Sequence, residues 1–168
     1  QRHPVDGLIL HAPVGTRLDQ RLFPTIMKPE PVRRLVRWGI SSRLTRPLLK
    51  RRFFGGAVPD DYADRFLAEY GRAESFGQMF DIITSDWWTA LDPSSVPTVL
   101  LWGADDRVLG ADQLDDYRAL LPDHSVDVVA GWGHFPMATD PAAYAGRVLD
   151  WARRLAGDRS DRGLIVLG

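Results

Sequence analysis

Residues 96–108, VPTVLLWGADDRV, constrain the fold of this chain more than any other segment. Within them, residues 98–102 are mostly apolar and β-forming, and Pro97 and Gly103 bound the run. A short apolar run between a proline and a glycine is typical of a strand that is buried on both faces of a parallel sheet. In such sheets, functional side chains gather beyond the carboxyl ends of the strands. The sequence therefore predicts an α/β fold with a candidate site just after residue 103.

Ionisable residues follow this strand and also the next predicted strand. Asp105 and Asp106 come after the first, and residues 125–130, SVDVVA, lead through a glycine-flanked loop to His134. Because neighbouring parallel strands end at one edge, we expect a carboxylate and an imidazole to meet there. An imidazole, with an unperturbed pKa of about 6.5, can take and return a proton near neutral pH. The structural alternatives are a turn aspartate and a loop histidine with one hydrogen bond.

Three motifs of the chain resemble those of the α/β-hydrolases, in particular of their cap-bearing branch. They are PTVLLWGADDRV, GWGHFPM and the Asp-Pro pair that opens the last predicted helix. The resemblance implies that Asp106, the aspartate of the G-x-x-D pattern starting at Gly103, is the catalytic acid, ahead of Asp105. It also implies that His134 is the catalytic base. In that family the nucleophile comes earlier, on a G-x-S-x-G turn, and this sequence contains no G-x-S-x-G.

The predicted elements divide the chain into four segments. Residues 1–14 contain a core strand over residues 5–13. Residues 15–92 lack strand-like alternation, and the resemblance implies that they form a helical cap, a lid over the active site, with predicted helices at residues 32–39, 44–54, 60–69 and 75–88. The C-terminal core spans 93–156, with predicted strands at 98–102 and 125–130 and predicted helices at 111–121 and 141–155. The last segment, residues 157–168, is a tail. Its end, LIVLG, has three possible interpretations: a frayed strand, an edge strand that pairs with a neighbour, or a vector remnant.

Aromatic side chains of the predicted cap are numerous enough to line an apolar pocket. The candidate substrate-pocket residues are Trp38, Tyr62, Tyr70, Trp87 and Trp88, together with Phe135 beside His134. Most of the cap aromatics are expected to form the core of the cap itself. Epoxide hydrolases of this fold use cap tyrosines to donate to the opening ring, with an aspartate nucleophile. The resemblance therefore leaves such a role open for Tyr62 and Tyr70.

Composition limits the classes of function and of partner. With 168 residues the chain is long enough for one core, and a net charge of −1 offers no argument for nucleic acid. It contains no cysteine, which excludes a thiolate nucleophile and favours a cytoplasmic location; neither a metal nor an organic cofactor is expected. No apolar stretch is long enough to span a bilayer. The basic residues between positions 28 and 52 are expected to form a solvated face rather than a membrane-binding or acid-binding surface.

Near the beginning of the chain, HPVDGLIL resembles the link between the helix behind the nucleophile and the next strand of the hydrolases. It is not a signal peptide, and residues 1–4 are expected to be the last turn of that helix. We therefore expect the N-terminal portion of the fold to be a partner, supplied by the same chain or by a separate one.

The favoured function is hydrolysis of a small or medium apolar ester, or a related acyl compound, by a Ser-His-Asp mechanism. The serine would come from residues outside this chain, and alone the chain is expected to be inactive. One alternative is a stand-alone binding or interaction module with vestigial Asp106 and His134. Another is a relative of the epoxide hydrolases and dehalogenases, with an aspartate nucleophile.

Overall fold

The computed structural model describes residues 5, 7–14, 18, 22–55, 58–90, 92–118, 120–157 and 165–167. The chain divides into two compact units. Residues Thr16–Leu91 form one, here called the helical unit, and residues Gln1–Gly15 with Asp92–Gly168 form the other, the core unit. The helical unit lies within one residue, at each end, of the predicted 15–92 segment. Residues 1–4, for which a helical turn is predicted, lie outside the described part.

A sheet of four parallel strands organises the core unit, in the order β3-β2-β1-β4. The strands are β1 (Leu8–His11), β2 (Thr98–Gly103), β3 (His124–Val129) and β4 (Ile165–Leu167). All six residues of β2 are buried, as expected for a central strand of a parallel sheet. The predicted α/β class is therefore confirmed. Within the LIVLG end of the tail, Ile165–Leu167 form an edge strand, because β4 pairs with β1.

Two predicted elements of the core unit are shorter in the structure. The strand predicted over residues 5–13 is confined to Leu8–His11, since Ala12 has a φ of 40°, a left-handed conformation that ends a strand. The helix predicted over residues 111–121 is a 3₁₀ turn, Ala111–Gln113, followed by the short helix α6, Leu114–Tyr117. Pro122 disfavours the helical conformation for the residue before it, which limits the helix at this end.

Apolar side chains cover both faces of the sheet at β2. On one face Ile9, Val99 and Leu101 pack with Trp132 and with one stripe of the last helix, α8 (Pro141–Gly157). On the other face Leu100 packs with Tyr117 and Leu121. Successive residues of a strand point to opposite faces, so the unbroken apolar run of β2 supplies both clusters. The packing on both faces fixes the position of β2, and it therefore also fixes where the residues that follow β2 begin.

The helical unit consists of five α-helices and one 3₁₀ helix among its described residues. They are α1 (Leu22–Ile26), α2 (Glu30–Ser41), α3 (Arg46–Phe54), α4 (Asp60–Arg72), α5 (Ser75–Ile83) and a 3₁₀ helix over Trp87–Ala90. Met27, Ile40, Leu67, Phe76 and Phe80 form its buried cluster. This unit follows β1 in the chain and precedes β2, as predicted for the insertion.

One boundary in the helical unit was predicted wrongly, because the helix expected to run from residue 75 to 88 ends at Ile83. The Thr84 hydroxyl donates to the Phe80 carbonyl oxygen at 2.6 Å, and the Ser85 hydroxyl donates to the Ile82 carbonyl oxygen at 2.7 Å. Hydroxyl side chains that bond nearby backbone groups compete with the helical pattern and favour its termination.

The basic residues of α3 are partly neutralised within the helical unit. Lys50 Nζ lies 3.0 Å from a carboxylate oxygen of Asp60 and 2.9 Å from one of Asp64, and Arg46 lies 3.6 Å from Asp64. These ion pairs link α3 to α4 at the surface. The expectation that the basic residues between positions 28 and 52 form a solvated face stays a prediction.

Candidate functional site

Asp106 and His134 meet at the carboxyl edge of the sheet. Asp106 lies three residues beyond the end of β2, and His134 lies five residues beyond the end of the neighbouring strand β3. The distance between Asp106 Oδ2 and His134 Nδ1 is 2.8 Å, which is a hydrogen bond. The structure thus brings together the two residues that the sequence singles out, although they are 28 positions apart.

The carboxylate of Asp106 is completely buried and held through both oxygens. Oδ1 accepts hydrogen bonds from the backbone amides of Val108 and Leu109, each at 2.8 Å. Oδ2 accepts from His134, because an ionised carboxylate has no proton to donate. The proton of the neutral imidazole is then on Nδ1, and Nε2 retains its lone pair. The His134 side chain is 18% exposed, so this ring is within reach of a bound molecule.

Gly103 allows the two loops to approach each other. A Cβ at this position would lie 2.3 Å from the backbone oxygen of Trp132. The loops are joined there by a hydrogen bond from the Asp105 amide to that oxygen, at 2.9 Å, and by one from the Ala104 amide to Val129, also at 2.9 Å. The Asp105 side chain is exposed, while Asp106 turns inward to His134. Of the two aspartates, Asp106 is thus the one that bonds the imidazole.

The His134 loop begins with a tight turn and ends in a short helix. Gly131 has a φ of 80°, which favours glycine because other residues are strained there. Phe135 packs its ring edge-on to His134, with 4.7 Å between the centroids, and the helix α7 (Pro136–Thr139) follows. Phe135 therefore contacts the candidate base. Its predicted place in a substrate pocket stays a prediction.

The candidate pocket residues from the predicted cap are spread over the helical unit. Trp38 on α2 is 63% exposed and Tyr62 on α4 is 37% exposed. Tyr70 is half-buried and stacks on Phe66, with 6.0 Å between the ring centroids, as part of the aromatic packing of this unit. Trp87 lies in the 3₁₀ helix, and the Trp88 side chain lies outside the described part. Their role in binding substrate stays a prediction.

His11 belongs to the same sheet edge and was not predicted as a site residue. It is the last residue of β1, and its ring interacts electrostatically with both Asp106 and His134. The pKa of His11 is lowered to about 4, mainly by burial and also by a charge on His134, while the Asp106 carboxylate acts in the opposite direction. The available signal was its place in LILH, a single polar residue at the carboxyl end of a predicted apolar strand.

A second polar cluster ties β3 to α8. Asp127 accepts hydrogen bonds from Arg147 at 2.6 and 2.7 Å and from the Trp151 indole at 2.5 Å. Asp127 lies on β3 and is buried, and the other two residues lie one turn apart on α8. The His134 loop connects these two elements, so the cluster restrains both ends of the loop. Sequence reasoning missed this cluster because its members are 20 or more positions apart.

The described residues contain neither a cluster suited to a metal ion nor a helix suited to span a membrane. Within those ranges, no group of three or more His, Asp or Glu side chains is placed to hold a metal ion. None of the helices described is both long enough and apolar enough to cross a bilayer.

The sequence matches one protein-family model over most of its length. A family model described as "Alpha/beta hydrolase family" matches residues 2–147. No curated protein is similar enough to this sequence to count as a match.

Solved structures with a similar fold include several hydrolases. The esterase of Thermogutta terrifontis has a TM-score of 0.58 at 16% identity, covering 89% of this chain and 56% of its own. Potato epoxide hydrolase I has a TM-score of 0.63 at 14% identity, covering 89% and 62%. The serine hydrolase CarC, involved in carbazole degradation, has a TM-score of 0.51 at 18% identity, covering 89% and 55%. This chain thus spans little more than half the length of these structures.

Proposed function

Because this chain belongs to the alpha/beta hydrolase family, we propose that Asp106 and His134 are the acid and base of a Ser-His-Asp hydrolase. The substrate is a small or medium apolar ester or a related acyl compound, and a serine outside this chain is the nucleophile. The observation that carries the proposal is the 2.8 Å hydrogen bond between Asp106 Oδ2 and His134 Nδ1 on a buried, doubly anchored carboxylate.

His134 performs the proton transfers in this mechanism. Its Nε2 accepts the proton of the serine hydroxyl as the serine attacks the carbonyl carbon, and the same nitrogen then protonates the leaving alcohol. In the second half of the reaction a water molecule attacks the acyl-serine ester. His134 accepts the proton of the water and returns it to the serine oxygen, and the acid is released. Asp106 keeps the imidazole in the Nδ1–H tautomer and stabilises the imidazolium that forms in each half.

The choice of an acyl substrate is supported by two similar folds, which are described as an esterase and as a serine hydrolase. The helical unit, inserted between β1 and β2, acts in this proposal as a lid that excludes water from the bound substrate. The missing part of the fold, in the same or a separate chain, completes the site. The activity is accordingly proposed for the complete protein.

The experiment is hydrolysis of p-nitrophenyl butyrate by the complete gene product, whose intact mass is measured in parallel. We expect turnover that His134→Ala reduces by at least about 10³-fold, because the general base is lost. Asp105→Asn is the matched control, since Asp105 is the exposed neighbour of Asp106, and it should retain turnover.

Other outcomes separate the competing functions. Retention of turnover in His134→Ala would refute the proposal. Hydration of styrene oxide without ester turnover would favour the epoxide-hydrolase alternative, with an aspartate nucleophile. If neither substrate is turned over and the measured mass is that of this chain, the interaction-module alternative is favoured.

A further inference from the structure

His11 lies at the same edge of the sheet as Asp106 and His134. It is the final residue of β1 and pairs in register with Leu101 of β2, the strand that leads to Asp106. The next residue, Ala12, has a φ of 40° and donates its amide hydrogen to the Leu101 carbonyl oxygen at 2.9 Å. A left-handed alanine is a strained conformation, and such conformations cluster at active sites and ligand clamps. His11 is therefore held at the strand end by a constrained backbone.

The ring of His11 is packed but is not fully satisfied. It lies edge-on to Tyr144, with 5.2 Å between the ring centroids, and Tyr144 in turn packs against Trp132 at 5.7 Å. The Nε2 atom of His11 is buried and has no hydrogen-bond partner among the described residues. Buried polar atoms nearly always have a partner, so an unpaired one requires an explanation. A group from the remaining part of the fold would be one partner, and a bound molecule is the partner that suits a sheet edge carrying Asp106 and His134.

The charge state of His11 determines which partner suits it. Burial, reinforced by a charge on His134 and opposed by Asp106, keeps its pKa at about 4, so the ring is neutral at pH 7. A neutral imidazole carries one donor and one acceptor and no net charge. The Asp106 carboxylate nearby would repel an anionic partner. An uncharged oxygen of a carbonyl or hydroxyl group can hydrogen-bond a neutral imidazole and is not repelled by the Asp106 carboxylate.

We infer that His11 is a substrate-contacting residue of the site formed by Asp106 and His134, and that its Nε2 hydrogen-bonds an uncharged oxygen of the bound acyl compound. The inference rests on the proposed function for the identity of the substrate. The competing explanation is that His11 has only a structural role, in which its ring packs against Tyr144. The two explanations differ in what the nitrogen atoms contribute.

Two variants separate these explanations. His11→Phe keeps a flat ring against Tyr144 and removes both nitrogens, while His11→Gln retains a neutral donor and acceptor. For p-nitrophenyl butyrate and the complete gene product, we expect His11→Phe to lower kcat/KM at least tenfold and His11→Gln to stay within about threefold of the unmodified protein. His124→Gln is the control, since His124 starts β3 at the opposite edge of the sheet. Wild-type kcat/KM in His11→Phe would overturn the inference.

A second measurement detects binding directly and needs no variant. Long-range ¹H–¹⁵N NMR spectra report the ring nitrogens of each histidine directly. On addition of butyramide, an uncharged acyl analogue, we expect saturable shifts of the His11 and His134 ring nitrogens and none for His124. Shifts at His134 without any at His11 would overturn this inference and leave the proposed function standing. No shift at either ring would overturn the inference by itself, whereas shifts at both without ester turnover would support it and refute the proposed acyl hydrolysis.

Discussion

Gly103 is the residue whose replacement best tests how the candidate site is held together. In Gly103→Ala the new Cβ would lie 2.3 Å from the Trp132 oxygen and 2.6 Å from the Gly133 oxygen. Both oxygens belong to the backbone, so no side-chain rotation relieves the overlap. Because a carbon–oxygen contact requires about 3.3 Å, the His134 loop must retreat by about 1 Å.

The expected loss of stability has two parts. Overpacking of this kind costs about 1–3 kcal/mol in free energy of unfolding. The retreat of Trp132 also breaks the 2.9 Å hydrogen bond from the Asp105 amide, which contributes about 1 kcal/mol. We therefore expect Gly103→Ala to lower the free energy of unfolding by about 3 kcal/mol. For the proposed hydrolase activity of the complete protein, we expect a displacement of about 1 Å at His134 to lower kcat by about 100-fold.

Urea denaturation followed by tryptophan fluorescence measures the change in stability, and the NMR signals of the His134 ring report the loss of the bond to Asp106. Gly133→Ala is the matched control within the same loop, because a Cβ there meets no atom within 4 Å and the backbone is not left-handed. It should change the free energy of unfolding by less than about 0.5 kcal/mol. The steric argument would fail if Gly103→Ala were as stable as this control and left the His134 signals unchanged.

Three further predictions concern the ionisable residues of the core unit. Under the proposed function, Asp106→Asn should lower kcat for ester hydrolysis by the complete protein about 10⁴-fold, because its amide no longer favours the Nδ1–H tautomer of the imidazole; ester turnover checks this. Asp127→Asn should lower the free energy of unfolding by about 1–2 kcal/mol in urea titrations, because the charge-assisted bonds from Arg147 are weakened, and an unchanged midpoint would contradict this. His11, with a pKa lowered from 6.5 to about 4, should make the protein less stable as pH falls through that interval, since the unfolded state then binds the extra proton. The same titration of His11→Phe should lack this pH dependence.

The fold class and the region of the site could be predicted from local sequence patterns. The apolar run of β2, bounded by Pro97 and Gly103, specifies a buried strand without reference to any other part of the chain. The order of strands and helices that follows predicts a parallel sheet, and a parallel sheet places the residues after β2 and β3 at one edge. This pattern led to Asp105, Asp106 and His134, the resemblance singled out Asp106 of the two aspartates, and the structure joins Asp106 to His134. Their catalytic roles stay predictions.

Element boundaries were predicted less well, because they depend on single contacts. The helix expected over residues 75–88 stops at Ile83, where hydroxyl groups take up the carbonyl oxygens of the last turn. The first strand stops at His11, where the following alanine is left-handed. Neither event changes the hydrophobic pattern on which the predictions were based.

Only the tertiary structure decided which side chains share a microenvironment. His11, Asp106 and His134 come from three segments of the chain, and the coupling of their charges depends on the distances and burial that the sheet creates. The bond between Asp127 and α8, and the closeness of Gly103 to the His134 loop, likewise join positions that are 20 or more residues apart. Strand formation reflects the hydrophobic period of neighbouring residues, which a sequence displays directly. Electrostatic coupling and steric fit decline steeply with distance in space, so they are determined only once the chain has packed.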